Sequence, residues 1–294
     1  MGSTSSCDSS KPAQRATWQE LCNPQATTGI PPGPAALRRR SFGVSLVNGA
    51  AVNAVARGDG SDVKNMELTI CHQPKRKINM RDSHFEYFIE KFGEATYSMP
   101  VSEATLAQWT GKLPPILMTY WREEGWAGYA NGRVWTVNPD EYEDIKDAWL
   151  EGTPLVNIDN FHVIARDAFG DLYLCGETTG ASVTITCIHN EILALKNQLN
   201  PKPLPDHDPS IQALFGSAKL EDFDYPDANG KLLFERAIKK YGPLEPDEMY
   251  GFEPALVMGG SVILENLRRL KLDPHLHILR QFDSPTLPFS NIDF

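Results

Sequence analysis

Two histidines two residues apart, His275 and His277, and two dense acidic runs are where this chain groups residue types that could do chemistry. On a strand, His275 and His277 would share a face and could jointly hold a metal, whereas on a helix they diverge. No third ligand lies close in sequence, so surface or capping histidines are the expected reading. The acidic runs are Asp140-Glu141-x-Glu143-Asp144-x-x-Asp147 and Glu221-Asp222-x-Asp224-x-x-Asp227. Paired carboxylates can work as general acid and base only where their surroundings separate the two pKa values. At helical spacing the first run falls opposite Tyr142, Ile145 and Trp149, which makes it a solvated face first and a surface for a basic partner second. Gly259-Gly260 before Ser261 lacks the Gly-Lys-Ser/Thr ending of a phosphate loop, and the sequence holds no G-x-S-x-G, H-E-x-x-H or dinucleotide fingerprint. The expectation is no catalytic residue, no metal and no cofactor.

The elements that must position these groups follow from period and punctuation. Phe85, Phe88, Ile89 and Phe92 define a helical face after Asp82, closed by Gly93. Ser102 caps a short helix through Trp109, and Pro114 or Pro115 opens another that carries Ile116, Leu117, Tyr120 and Trp121 and ends at Gly125. In GYANGRVWTV, Asn131-Gly132 signals a type I′ hairpin. Asn138 caps the helix of the first acidic run, with Pro139 in its first turn and Gly152 as its stop. Residues 161–166, 171–176 and 182–188 read as a strand meander turning at Gly170-Asp171, followed by a helix around 190–198. Trp109, Trp121, Trp126, Trp135 and Trp149 are expected in the core.

Residues 200–209, NPKPLPDHDP, carry four prolines and read as a linker. Beyond it come an amphipathic helix over 230–241, an extended DEMYGFEPALVMGG segment, and helical patterns near 262–271 and 274–282. The expected class is α+β, with two small α+β domains (80–199 and 210–294) on either side of the Pro-rich linker.

Residues 1–79 differ from the rest. They hold two of the chain's 28 aromatics and are rich in Ser, Thr, Pro, Gly and Ala. Such a segment buries too little apolar surface to offset chain entropy, so a disordered or non-native N-terminal extension is expected, with Met80 as the natural start. Its ten Lys/Arg against five Asp/Glu give +5, while residues 80–294 carry 18 against 33, a net of −15. An acidic body repels nucleic acid, whose binding depends on neutralising phosphates. No stretch reaches the roughly 20 apolar residues of a membrane-spanning helix. Five cysteines without C-x-x-C spacing point to reduced thiols, Cys175 and Cys187 among them buried.

Three blocks carry a family resemblance. KLPPILMTYWREEGWAGYANGRVWTVNPDEYEDIKDAWLEGT (112–153) and NFHVIARDAFGDLYLCGE (160–177) resemble the GAD-like domain. FERAIKKYGPLEPDEMYGFEPALVMGG with HLHILRQF (234–260 and 275–282) resembles the C-terminal domain of type VI secretion DNase immunity proteins. Cys175 stands where such sequences suggest an aromatic. The resemblance implies a bacterial cytoplasmic protein, not an enzyme, that binds a DNase effector encoded in an adjacent gene and blocks its active site. A nuclease site is basic in order to hold phosphates, so a −15 body complements and is steered towards it. Nuclease–immunity pairs reach a Kd of about 10⁻¹³ M through interfaces of roughly 1,600 Å². The residues expected at that interface are Asp140, Glu141, Asp144 and Asp147 in the first domain and Glu245, Asp247 and Glu248 in the second. The alternatives are a nucleic-acid- or tRNA-associated GAD-type module, or a small hydrolase using the carboxylates or the His275/His277 pair.

Overall fold

The computed structural model describes residues 81–288. The extension expected over residues 1–79 lies outside them, together with Cys7, Cys22 and Cys71.

Chain entry is set by Asp82, whose carboxylate accepts from the backbone N–H groups of His84 (3.0 Å) and Phe85 (2.8 Å) and starts α1 (Ser83–Phe92). Its aromatic face meets Tyr120, Tyr129 and Phe215 with ring centroids 4.4–6.1 Å apart. Each such ring contributes about 1.5–3 kcal/mol by burial. Ser102 caps α2 (Glu103–Trp109), and Pro115 leads α3 (Pro115–Glu124), as the sequence indicates.

Seven antiparallel strands pair in sequential order, the first lying between α1 and α2: β1 (Tyr97–Met99), β2 (Trp126–Tyr129), β3 (Val134–Thr136), β4 (Phe161–Asp167), β5 (Leu172–Gly176), β6 (Gly180–Thr186) and β7 (Glu191–Ala194). The β2–β3 hairpin departs from the expected tight turn. Tyr129 pairs with Val134, leaving a four-residue loop in which Ala130, Asn131 and Gly132 all have positive φ. The primed turn is thus centred one residue early, on Ala130-Asn131, and Gly132 continues the left-handed path. The helix expected around 190–198 is also corrected. Residues 191–194 form β7, antiparallel to β6 with Ile185 opposite Ile192, and only the 3-10 turn Lys196–Gln198 is helical.

Alternation along β4 to β6 sends residues to two cores. Phe161, Val163, Leu172, Leu174, Val183 and Ile185 face one, while Ile164, Ala165, Tyr173 and Cys175 face the other. A bulge between Val163 and Ala165 makes the switch on β4. Trp109, Trp121, Trp126, Trp135 and Trp149 are all buried, divided between the two faces.

The proline-rich stretch is pinned along its length. Lys202 N–H donates to Thr178 O (2.8 Å), and His207, 1% exposed, faces Lys202 O from Nε2 (3.0 Å). Helix α5 (Asp208–Gly216) begins at once, and Asp208 accepts from Ile116 N–H (3.0 Å). Helix α5 packs on α1 and α3, so it completes the core of the first stretch. Conversely α4 (Glu143–Leu150) lies on the other face with α6 (Phe234–Tyr241), the ribbon β8 (Glu248–Phe252)–β9 (Leu267–Lys271) and α7 (Leu272–Phe282). The helical pattern expected near 262–271 is largely strand β9, paired residue for residue with β8. Both halves of the sequence thus build both cores of one α+β fold. Gly170 marks their contact: its φ is +87°, and a Cβ there would stand 2.6 Å from Met249 Cε.

Candidate partner-binding surface

Asn138 accepts from Asp140 N–H (3.3 Å), Pro139 occupies the first position, and a 3-10 turn over Pro139–Tyr142 leads into α4. Tyr142, Ile145 and Trp149 turn inward as expected. Lys146 is also buried, and its ammonium lies 2.8 Å from Glu143 and 2.7 Å from Asp147. Burial pulls that ammonium down, but the hydrogen bonds from Lys146 to Asp147 and Glu143 overcome it and leave its pKa above the ordinary value. Glu143 in turn faces His162 Nδ1 (3.1 Å), whose Nε2 lies 3.0 Å from Glu177, with the Trp109 ring against its edge.

Glu143, on the inner side of the run, is therefore occupied, and the outer carboxylates form a stripe in which Asp147 is shared with Lys146. Asp140, Glu141, Asp144 and Asp147 are all exposed, and Glu151 extends them by another turn. Asp140 receives the Gln108 amide at 3.2 Å. Asp144 and Glu151 have no side-chain partner among the described residues. Glu151 was missed in sequence because it sits after the dense run, although the 140, 144, 147, 151 spacing was there to read.

The second acidic group is different. Asp247 and Glu248 face β9, where Lys271 lies 2.7 Å from Asp247 and Arg269 lies 3.4 Å from Glu248. The Lys271 ammonium holds the Asp247 carboxyl below its usual value. Only Glu245 remains exposed without an ionic partner among the described residues. The two groups nevertheless adjoin through Arg166, which is fully buried. It donates to Pro246 O (2.6 Å) and Asp167 O (3.0 Å) and stacks 4.9 Å from the Trp135 ring.

His275 and His277 fall on helix α7 and diverge. His275 packs over Gly251, whereas His277 Nδ1 faces Asp273 O at 3.0 Å. No group of three or more metal-type side chains occurs among the described residues. Burial holds His275 below the ordinary imidazole value of 6.5, opposed by Glu253. The unfolded chain therefore takes up this proton first as pH falls. The corresponding stability is fully present above pH 6.5 and is lost as pH drops through the depressed folded value. Urea midpoints taken at pH 7.5 and pH 5 are expected to fall towards acid, and His275→Gln to flatten that part of the slope. An unchanged slope in the variant would remove His275 from the account.

The second acidic run is not uniformly at the surface. Asp224 is 1% exposed and bonded to Arg133 at 2.9 Å. No helix among the described residues is long and apolar enough to cross a membrane.

A two-faced antiparallel sheet with helices on both cores defines an α+β fold in its general class. Family models then place the chain: residues 83–189 match the GAD-like domain, and residues 208–283 match the T6SS immunity protein Tdi1, C-terminal. The chain carries these two domains in that order. Among solved structures it is similar to Atu4351 from Agrobacterium tumefaciens, at 24% identity and a TM-score of 0.57, covering 67% of this chain and 88% of that one. That likeness is one of fold. No match was found among curated proteins.

Proposed function

We infer that this protein is a cytoplasmic, non-catalytic immunity protein that binds a type VI secretion DNase effector, encoded in an adjacent gene, and occludes its cationic active site. One observation carries the reading. A stripe of exposed carboxylates stands on a helix anchored by Tyr142, Ile145 and Trp149, in a chain whose last domain matches a type VI immunity protein. Fixed negative charge on a rigid element meets phosphate-binding cations without reorganisation, which favours fast and specific association. Of the two acidic groups, the α4 stripe is the better ligand, because Lys271 and Arg269 already offset Asp247 and Glu248.

The test is a DNA-cleavage assay with the effector nuclease of the adjacent gene, titrated with the purified protein. Cleavage is expected to stop at one molar equivalent. Full cleavage at tenfold excess sinks the reading, and inactivation at far below one equivalent shows turnover instead. A shift of DNA or tRNA in a low-salt gel would favour the GAD-type accessory module.

A further inference from the structure

Four of the large apolar side chains that the fold leaves exposed lie beyond β8: Val257, Met258, Ile278 and Phe282. After β8 the chain passes Glu253 and Pro254 into the 3-10 turn Leu256–Met258. Leu256 packs on the core, while Val257 is 37% and Met258 61% exposed. The turn is closed by backbone bonds from Met258 N–H and Gly260 N–H to Ala255 O (2.9 and 3.0 Å) and from Gly259 N–H to Leu256 O (2.9 Å). A Cβ on Gly260 would stand 1.9 Å from the Pro254 carbonyl oxygen, so the loop lies directly on its own backbone. Met258 is therefore held out at a fixed position.

Helix α7 packs beside this turn. Its His275 rests on Gly251 of β8, and the same flank, at spacings of three and seven residues, carries Ile278 (48% exposed) and Phe282 (43% exposed). The opposite flank sits on the acidic helix: Arg280 donates from Nε to Ala148 O (2.8 Å) and from Nη2 to Glu151 O (3.2 Å). Helix α7 thus stands between the carboxylate stripe and the apolar patch, and its exposed Asp273 continues the acidic side. Arg280 is committed to carbonyl oxygens, and Arg268 is shared with Glu253 at 3.6 Å.

We propose that Val257, Met258, Ile278 and Phe282 form the apolar anchor of the partner interface, seated in a nonpolar pocket on a basic protein surface, with the α4 stripe as its charged rim. The identification of that surface as the effector nuclease rests on the function inferred above. A polynucleotide offers no apolar pocket and is repelled by the rim. A second copy of this chain would bring like charge against like, since residues 80–294 carry a net of −15. A preformed apolar centre bordered by charge is the arrangement in which a few side chains dominate dissociation while the rim governs encounter.

The experiment measures binding of the full chain to a catalytically inactive form of the effector nuclease, with Met258→Asp and Ile278→Asp as separate variants. Each is expected to dissociate at least about tenfold faster, with the association rate not slowed. Thermal melts equal to wild type confirm folding, and Met258→Leu is expected to restore slow dissociation. Unaltered dissociation in both aspartate variants, in a protein that still inhibits the nuclease, overturns the anchor and leaves the function standing. Absence of wild-type binding overturns both. A concentration-dependent dimer abolished by Met258→Asp assigns the patch to a second copy and overturns the proposed occupant.

Discussion

Replacing Asp224 with alanine is expected to lower stability by about 3–5 kcal/mol, because it removes the buried carboxylate that faces a buried guanidinium. Arg133 rises from the β2–β3 loop, 4% exposed, and places Nη1 2.9 Å from Asp224 Oδ2 and 3.1 Å from Leu220 O. Its plane lies 4.4 Å from the Phe234 ring. The other oxygen of Asp224 accepts from Tyr225, Leu233 and Phe234 N–H at 2.8–2.9 Å and so caps the start of α6. Truncation orphans those donors and leaves Arg133 with only the exposed Glu235 carboxylate and the Leu220 carbonyl. Glu235, which also meets Arg133 at 2.9 Å, has a side chain 62% exposed, and its loss should cost less than about 1 kcal/mol. Arg133 lies in the GAD-like domain and Asp224 in the immunity-type domain. Tryptophan fluorescence and far-UV circular dichroism are therefore expected to report one coincident urea transition, moved to lower urea in the variant. A loss under about 1 kcal/mol, or two separated transitions, would show that this pair does not join the halves.

That ion pair also shows where reading the sequence stops. The caps Asp82, Ser102 and Asn138, the stops Gly93 and Gly125, and the inward stripe of α4 are all local, set within one or two helical turns, and each is where the spacing puts it. Arg133 and Asp224 are 91 residues apart, and nothing near either marks it as buried. The strand at 191–194 was misread because Glu-Ile-Leu-Ala suits a helix by propensity, and the choice is made by pairing to β6 and by Thr286 at the free edge. Residues 267–271 failed similarly, since their partner β8 lies fifteen or more residues earlier.

The prolines at 200–209 suggested separation. In the fold they fix a short path that returns α5 to the first core, with Ser210 Oγ accepting from Ala181 N–H at 3.0 Å. Of the site, the acidic helix was legible, because amphipathic period separates inside from outside. Its inner occupants, Lys146 and His162, were not, because burial of a charged group is decided by partners on other elements.

Reversing charge on the stripe is expected to slow association with the effector nuclease roughly 10- to 100-fold at low salt, with little change in dissociation. The residues to reverse are Asp140, Asp144 and Glu151, together as lysines. Asp147 is best left in place, since a lysine there would face the buried ammonium of Lys146 and confuse binding with folding. The reversals at Asp140 and Asp144 put cations near the positive end of α4 and should cost about 0.3–1 kcal/mol each, whereas that at Glu151 lies at the negative end and opposes the loss. The fold should therefore survive, as a melt will show. The rate difference should shrink as ionic strength rises, because the Debye length falls to about 8 Å at 0.15 M and the rim charges act over greater distances than that. Asp247→Asn serves as the comparison: Lys271 already offsets that carboxylate, so its effect should stay within about threefold. Equal association rates for the triple reversal and the parent, measured at low salt, would take the α4 stripe out of the encounter altogether.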